Sequence, residues 1–112
     1  MITNIGCDIV SINRISKQKD EFYKRVLTSK EQDIYLSLNN NQKPKFLAGR
    51  FAAKEAIFKS CNETKILSNI EVLNDKSGRP YCNIEGFNIS VSISHEEEYA
   101  IAYAICEKVK EV

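Results

Sequence analysis

The stretch Phe46–Cys61, FLAGRFAAKEAIFKSC, decides how the chain folds. It is the longest run of good helix formers in the sequence, with Gly49 as its weak link. Wound at about 3.6 residues per turn, it spreads Phe46, Leu47, Phe51, Ala53, Ile57, Phe58 and Cys61 over much of the circumference, which predicts a mostly buried helix. Four charges interrupt it: Arg50, Lys54, Glu55 and Lys59. Glu55 and Lys59 are four apart and share a face with Ala48, Ala52 and, at its margin, Ala56. A Glu–Lys pair at this spacing is common on helix surfaces. On a buried helix, with small neighbours, it predicts room for a ligand beside the carboxylate and the amine.

Around this helix there is material for one domain, residues 1–112, with 43% hydrophobic and 28% charged residues, proportions ordinary for a soluble globular protein. The net charge of +1 argues against a global attraction to nucleic acid or to membranes. No apolar run approaches membrane-span length, and Met1-Ile2-Thr3-Asn4 does not read as a signal peptide, so a cytoplasmic protein is expected. Cys7, Cys61, Cys82 and Cys106 are scattered, form no CxxC pair and sit within apolar segments. His95, the sole histidine, has no cysteine within ligand spacing, so reduced structural thiols are expected rather than a zinc site.

Upstream of the helix, Ile2–Ile12 reads as a strand with Ile5, Cys7 and Ile9 facing one way and Gly6, Asp8 and Val10 the other. Asp8 is a lone carboxylate in an apolar strand, and such a group needs a base, backbone donors or a metal ion as partner. Asn13–Leu27 turns helical, with Ile12, Ile15, Phe22, Tyr23 and Val26 as core positions. Between Arg14 and Glu31, six cations (Arg14, Lys17, Lys19, Lys24, Arg25, Lys30) face three anions (Asp20, Glu21, Glu31), an excess of three. This is either a solvated face or a dock for an acidic partner, and its aromatics do not interleave as base stacking would require. Thr28, with Glu31 three residues on, forms a capping box that opens a short helix through Leu38.

A polar loop, 39–44, leads into the long helix, and a second loop, Asn62–Ser68, leaves it. Ile70–Leu73 and Tyr81–Ile84 read as strands joined by the turn-rich Asn74–Pro80, and Gly86 marks the next turn. Asn88–Ser94 alternates, with Ile89, Val91 and Ile93 inward and Ser90, Ser92 and Ser94 outward. Tyr99–Ile105 also alternates, setting Tyr99, Ile101, Tyr103 and Ile105 against three alanines. The connection His95-Glu96-Glu97-Glu98 makes Ser94-His95 a candidate anion contact.

In chain order, IGCDIVSINRI (5–15), RVLTSKE (25–31), RFAAKEAIFKS (50–60), SGRP (77–80) and SISHEEEYAIAYAI (92–105) resemble the holo-acyl-carrier-protein synthases, the small class of 4'-phosphopantetheinyl transferases. The resemblance implies an α+β fold, a small antiparallel sheet packed on a long helix, and homotrimers with active sites at subunit interfaces. It implies an enzyme that uses Mg²⁺ to move 4'-phosphopantetheine from coenzyme A to a serine of apo acyl carrier protein. The reaction would release adenosine 3',5'-bisphosphate and support fatty acid synthesis.

On this resemblance Asp8 and Glu55 are the Mg²⁺ ligands, oxygen donors suited to a hard cation. Lys59 lies beside the pyrophosphate, offsetting charge on the leaving phosphate, and Glu55 also helps remove the serine proton. Arg50, Ser94 and His95 fall on positions that contact coenzyme A phosphates, and Gly78, Arg79 and Pro80 on the loop bordering its adenine. Arg14 and the basic helix beyond it, with Lys24 and Arg25, fall on the surface that receives the carrier protein. The chain departs from the family pattern at Cys61-Asn62-Glu63-Thr64, where a glycine-rich turn is usual, and at Glu96 and Cys7, where threonines are usual.

Two other readings compete. A non-catalytic module binding an acidic protein through the basic helix would ignore Mg²⁺ and coenzyme A, and would leave Asp8, Glu55 and Lys59 without purpose. A different Mg²⁺-dependent phosphate-handling enzyme would need metal but modify no carrier protein.

Overall fold

The computed structural model describes residues 2–62 and 66–109. Alternation builds its sheet. β1 (Ile2–Ser11) and β4 (Phe87–His95) both pair antiparallel with β5 (Tyr99–Lys108), giving the order β1-β5-β4. One face carries Gly6, Ala100, Ala102, Ala104 and Cys106, all buried, with Ile89, Val91 and Ile93 partly buried beside them. Across that face lies the long helix, here α4 (Lys43–Cys61), so the fold is the α+β arrangement expected.

The small residues explain how closely helix and sheet meet. A Cβ built on Gly6 would lie 1.9 Å from the Ala56 carbonyl oxygen, so only glycine fits there. Ala48, Ala52 and Ala56 are fully buried, and together with the β5 alanines they form the two sides of this contact. The expectation that these alanines leave space for a ligand is therefore corrected: they admit the sheet. Ile57, fully buried on the same helix, contributes about 1.5–3 kcal/mol by leaving water. Phe58, by contrast, is exposed.

The long helix begins three residues earlier than its composition predicted, with Pro44 in its first turn, where a missing N–H costs nothing. Asn62 ends it in the left-handed conformation, φ 53°, with its N–H returned to the Phe58 carbonyl. Glu63 and Thr64, part of the departure from the glycine-rich turn, lie outside the described residues, as does Lys65 of the predicted loop.

The predicted helix over 13–27 is two short ones, α1 (Ile12–Ser16) and α2 (Phe22–Val26). Residues 16–21 carry no apolar side chain to bury, so nothing holds a helix through them. The capping box at Thr28 and Glu31 is formed as expected and opens α3 (Ser29–Ser37). A 3₁₀ turn, Leu67–Asn69, follows α4.

The next two predicted strands shrink to β2 (Leu73–Asn74) and β3 (Pro80–Tyr81). The reason is local. The Val72 N–H donates to Glu31 Oε2 (2.9 Å), which removes it from any ladder. Glu31 Oε1 meanwhile accepts from the fully buried Lys54 Nζ, which also donates to the carbonyls of Val26 (2.5 Å) and Leu67 (3.1 Å). All three ammonium protons are thus used inside the protein. This polar knot ties α2, α3, the 3₁₀ turn and Val72, just before β2, to the long helix.

Candidate functional site

Two groups of predicted residues form, on opposite flanks of α4. The first lies along β1. Asp8 projects from the helix-facing side of its strand, and Lys59 Nζ reaches it at 3.3 Å while donating also to the Cys7 carbonyl at 3.1 Å. Glu55, half-buried, stands one helical turn before Lys59 on the same flank. Asp8 also borders a groove of about 280 Å³ together with Ser11, Arg14, Gln18, Phe22 and Phe51. Arg14 is exposed there, its backbone N–H donating to the Ser11 hydroxyl that caps α1. Lys24 and Arg25 are exposed farther along, on α2, with Lys24 paired to Glu21 at 3.1 Å. That pair stays in water and contributes little to stability.

The second group gathers around Arg50. Arg50 precedes Glu55 by five residues and Lys59 by nine, which turns it roughly 140° and 180° around the helix from them. Its side chain is only 6% exposed, stacked over the Phe46 ring at 4.6 Å, with Nη2 donating to Asn74 Oδ1. Its Nε has no partner among the described residues. Burial pulls the guanidinium below its ordinary value, while the Glu31 carboxylate works the other way. A buried cation with donors to spare, at the wall of a cleft, is an arrangement that receives an anion. The cleft measures about 580 Å³ and is lined by Lys45, Phe46, Arg50, Asn74, Ile93 and His95, among others.

His95 reaches this cleft as the last residue of β4 and not as part of the turn after it. Ser94, one position earlier, points to the opposite sheet face with Ser90 and Ser92. The expected Ser94-His95 pairing is thus split within one chain. Gly78, Arg79 and Pro80 stand close by: Asn74 Nδ2 donates to the Gly78 carbonyl at 2.9 Å. The turn itself is held by Asp75, whose Oδ1 accepts from the Ser77 N–H, the Ser77 hydroxyl and the Arg79 N–H. The Ser77 hydroxyl, ahead of the other bonds, lowers the Asp75 carboxyl below its ordinary value. Gly78 sits at φ +89°, a conformation that favours glycine.

Two features of this architecture escaped sequence reading, Asn74 as a link and the buried Lys54–Glu31 pair. Asn74 offered no signal beyond its place at the mouth of a turn. Glu31 was visible as a capping residue, but not as the partner of Lys54.

The donor set can be weighed against the implied Mg²⁺. Among the described residues no group of three or more His, Cys, Asp or Glu side chains forms a protein-only cage. Asp8 and Glu55 are hard oxygen donors, and Asp8 already draws a cationic group, the Lys59 ammonium. Cys7, the nearest soft donor in sequence, is on the exposed face of β1. Such a set fits an ion that takes one or two carboxylates and completes its shell with substrate oxygens and water, which is the habit of Mg²⁺.

Comparison with known proteins follows the same outline. A family model described as the 4'-phosphopantetheinyl transferase superfamily matches residues 4–104. A holo-(acyl-carrier-protein) synthase of Staphylococcus saprophyticus is 41% identical over 115 residues, covering 96% of this chain and 99% of that protein. A solved holo-(acyl-carrier-protein) synthase from Bacillus anthracis, in complex with CoA (3',5'-ADP), superposes with a TM-score of 0.90 at 39% identity, covering 97% of this chain and 99% of the other. That from Neisseria meningitidis superposes at 0.85 with 31% identity, covering 96% and 100%.

Proposed function

The chain belongs to the 4'-phosphopantetheinyl transferase superfamily, and from that premise we propose that it moves 4'-phosphopantetheine from coenzyme A to a serine of apo acyl carrier protein. In the reaction the serine oxygen bonds to the phosphorus that carries the pantetheine. The P–O bond to the adenylate half breaks, the serine proton leaves, and adenosine 3',5'-bisphosphate departs. The observation that carries this reading is the meeting of Lys59 with Asp8, on the flank of α4 that also bears Glu55.

In the proposed site Asp8 and Glu55 hold Mg²⁺, which supplies charge neutralisation and polarisation of the pyrophosphate. Lys59 adds a point positive charge where negative charge accumulates on the leaving phosphate. Glu55, directly or through a water, takes the serine proton. Arg50 and His95 bind coenzyme A phosphate, and the Gly78-Arg79-Pro80 turn borders the adenine. Arg14, with Lys24 and Arg25, guides the acidic carrier protein so that its serine enters the groove beside Asp8. The enzyme works in the cytoplasm, in support of fatty acid synthesis.

One chain separates the two halves of this site. Asp8 is on β1 and His95 on β4, the two edges of the sheet, and Arg50 faces away from Lys59. A second copy that brings its Arg50 flank to the Asp8 flank of the first completes the site, and a homotrimer closes the arrangement so that every copy serves two sites.

Intact-mass spectrometry tests the reading. Apo acyl carrier protein, coenzyme A and the protein are mixed with Mg²⁺ or with chelator. The expected result is a gain of one phosphopantetheinyl group only where metal is present. No gain with several apo carriers, from folded protein, removes the transferase.

A further inference from the structure

Arg50 lines the cleft from α4, and Asn74 lines it from the β2–β3 hairpin whose turn carries Gly78, Arg79 and Pro80. The Asn74 side chain connects Arg50 to that turn. Asn74 accepts from Arg50 Nη2 through Oδ1 and donates from Nδ2 to the Gly78 carbonyl, so both functions of its amide are engaged. We propose that Asn74 is a positioning residue, which fixes the Arg50 guanidinium and the adenine-bordering turn in one relative placement, so that coenzyme A meets both at once. This rests on the reading of the cleft as the coenzyme A site.

The physical argument concerns freedom. Arg50 is clamped on one face by Phe46 and at Nη2 by Asn74, and its Nε stays unengaged. Without Asn74 the ring still supports the guanidinium plane, but nothing sets its rotation in that plane. A fork that must meet an oxyanion with two aligned donors then has to be ordered at the moment of binding. The turn suffers less: Asp75 holds it internally, and the Asp75 N–H to Arg79 carbonyl bond (2.9 Å) closes it. Asn74 thus acts mainly on the link between turn and arginine, and less on the turn itself.

Isothermal titration of the full chain with adenosine 3',5'-bisphosphate gives the test, in wild type, Asn74→Ala, Arg50→Ala and the double variant. The cost of ordering the freed guanidinium on binding predicts roughly tenfold weaker binding for Asn74→Ala. In the Arg50→Ala background the same substitution should change affinity by less than about twofold, because the two side chains act as one unit. In turnover, Asn74→Ala should raise KM for coenzyme A and leave kcat nearly unchanged, since the side-chain bonds of Asn74 go to Arg50 and the Gly78 carbonyl and not to Asp8, Glu55 or Lys59. Equal losses in both backgrounds, unchanged affinity, or a fall in kcat at constant KM would overturn the proposal. Absence of binding by the wild type removes the cleft reading, and the role of Asn74 falls with it. Asn74 is exposed at the end of β2, so the melting temperature of Asn74→Ala should stay close to wild type.

Discussion

Lys54 and Glu31 form an ion pair with no exposure to solvent, and both members are saturated with partners. Removing one member strands the other. Lys54→Met should cost about 3–5 kcal/mol, read as a lower denaturation midpoint, because the Glu31 charge stays buried. Lys54→Met combined with Glu31→Gln should recover part of that loss. Lys59, five residues farther along the helix, has the opposite logic. Lys59 is half-exposed, so Lys59→Ala should leave the melting temperature within a few degrees while lowering kcat for phosphopantetheine transfer more than it raises KM. Asp8→Asn and Glu55→Gln should abolish transfer in folded protein, and full activity in both would remove them from the site. The four charges of the stretch 46–61 could be read in the sequence. Which of them lies inside could not, because the partners of Lys54 come from Val26, Glu31 and Leu67, segments 28, 23 and 13 residues away. The capping box of Thr28 and Glu31, by contrast, was legible because it closes within one turn.

At the level of elements, β1 and α4 touch where neither has a side chain beyond a methyl group. Gly6→Ala places a methyl group inside the Ala56 carbonyl and cannot be accommodated without moving strand or helix. A loss of about 1–3 kcal/mol in chemical denaturation is expected. Because Asp8 is two residues along the same strand, transfer activity should fall more than stability alone explains. A melting temperature equal to wild type would show that the contact relaxes freely. β4, β5 and α4 were legible from period and composition, since alternation and a long apolar helix are strong local signals. The helix break at 17–21 and the shortened β2 were not. The first depends on what α1 and α2 find to pack against, and the second on a carboxylate from α3 that captures the Val72 N–H. The alternation of β5 showed two faces, but the smaller residues, Ala100, Ala102 and Ala104, proved to be the buried ones. Only the close approach of α4 explains that choice.

Over the molecule as a whole, the outer face of the sheet is unusual for a lone chain. Ile5, Ile9 and Tyr103 are 60%, 61% and 53% exposed, beside Tyr99 and Ile105. A contiguous apolar surface of this kind marks a contact surface, and the proposed trimer would cover it. Ile9→Lys with Tyr103→Lys should reduce the mass in sedimentation velocity to that of a monomer and abolish transfer, while the melt remains cooperative. An unchanged mass would place the subunit contact elsewhere.

The separation of Asp8 from Arg50 on opposite flanks of α4 has a genetic consequence. In the closed ring proposed above, each copy would lend one flank to each neighbour. Suppose half the subunits carry Asp8→Asn and half Arg50→Ala, each inactive alone. Going round any mixed ring, there is one junction where a sound Asp8 flank faces a sound Arg50 flank. Such rings should regain about a third of normal sites in a trimer. Two null alleles of this gene, expressed together, should therefore rescue a cell that neither can support.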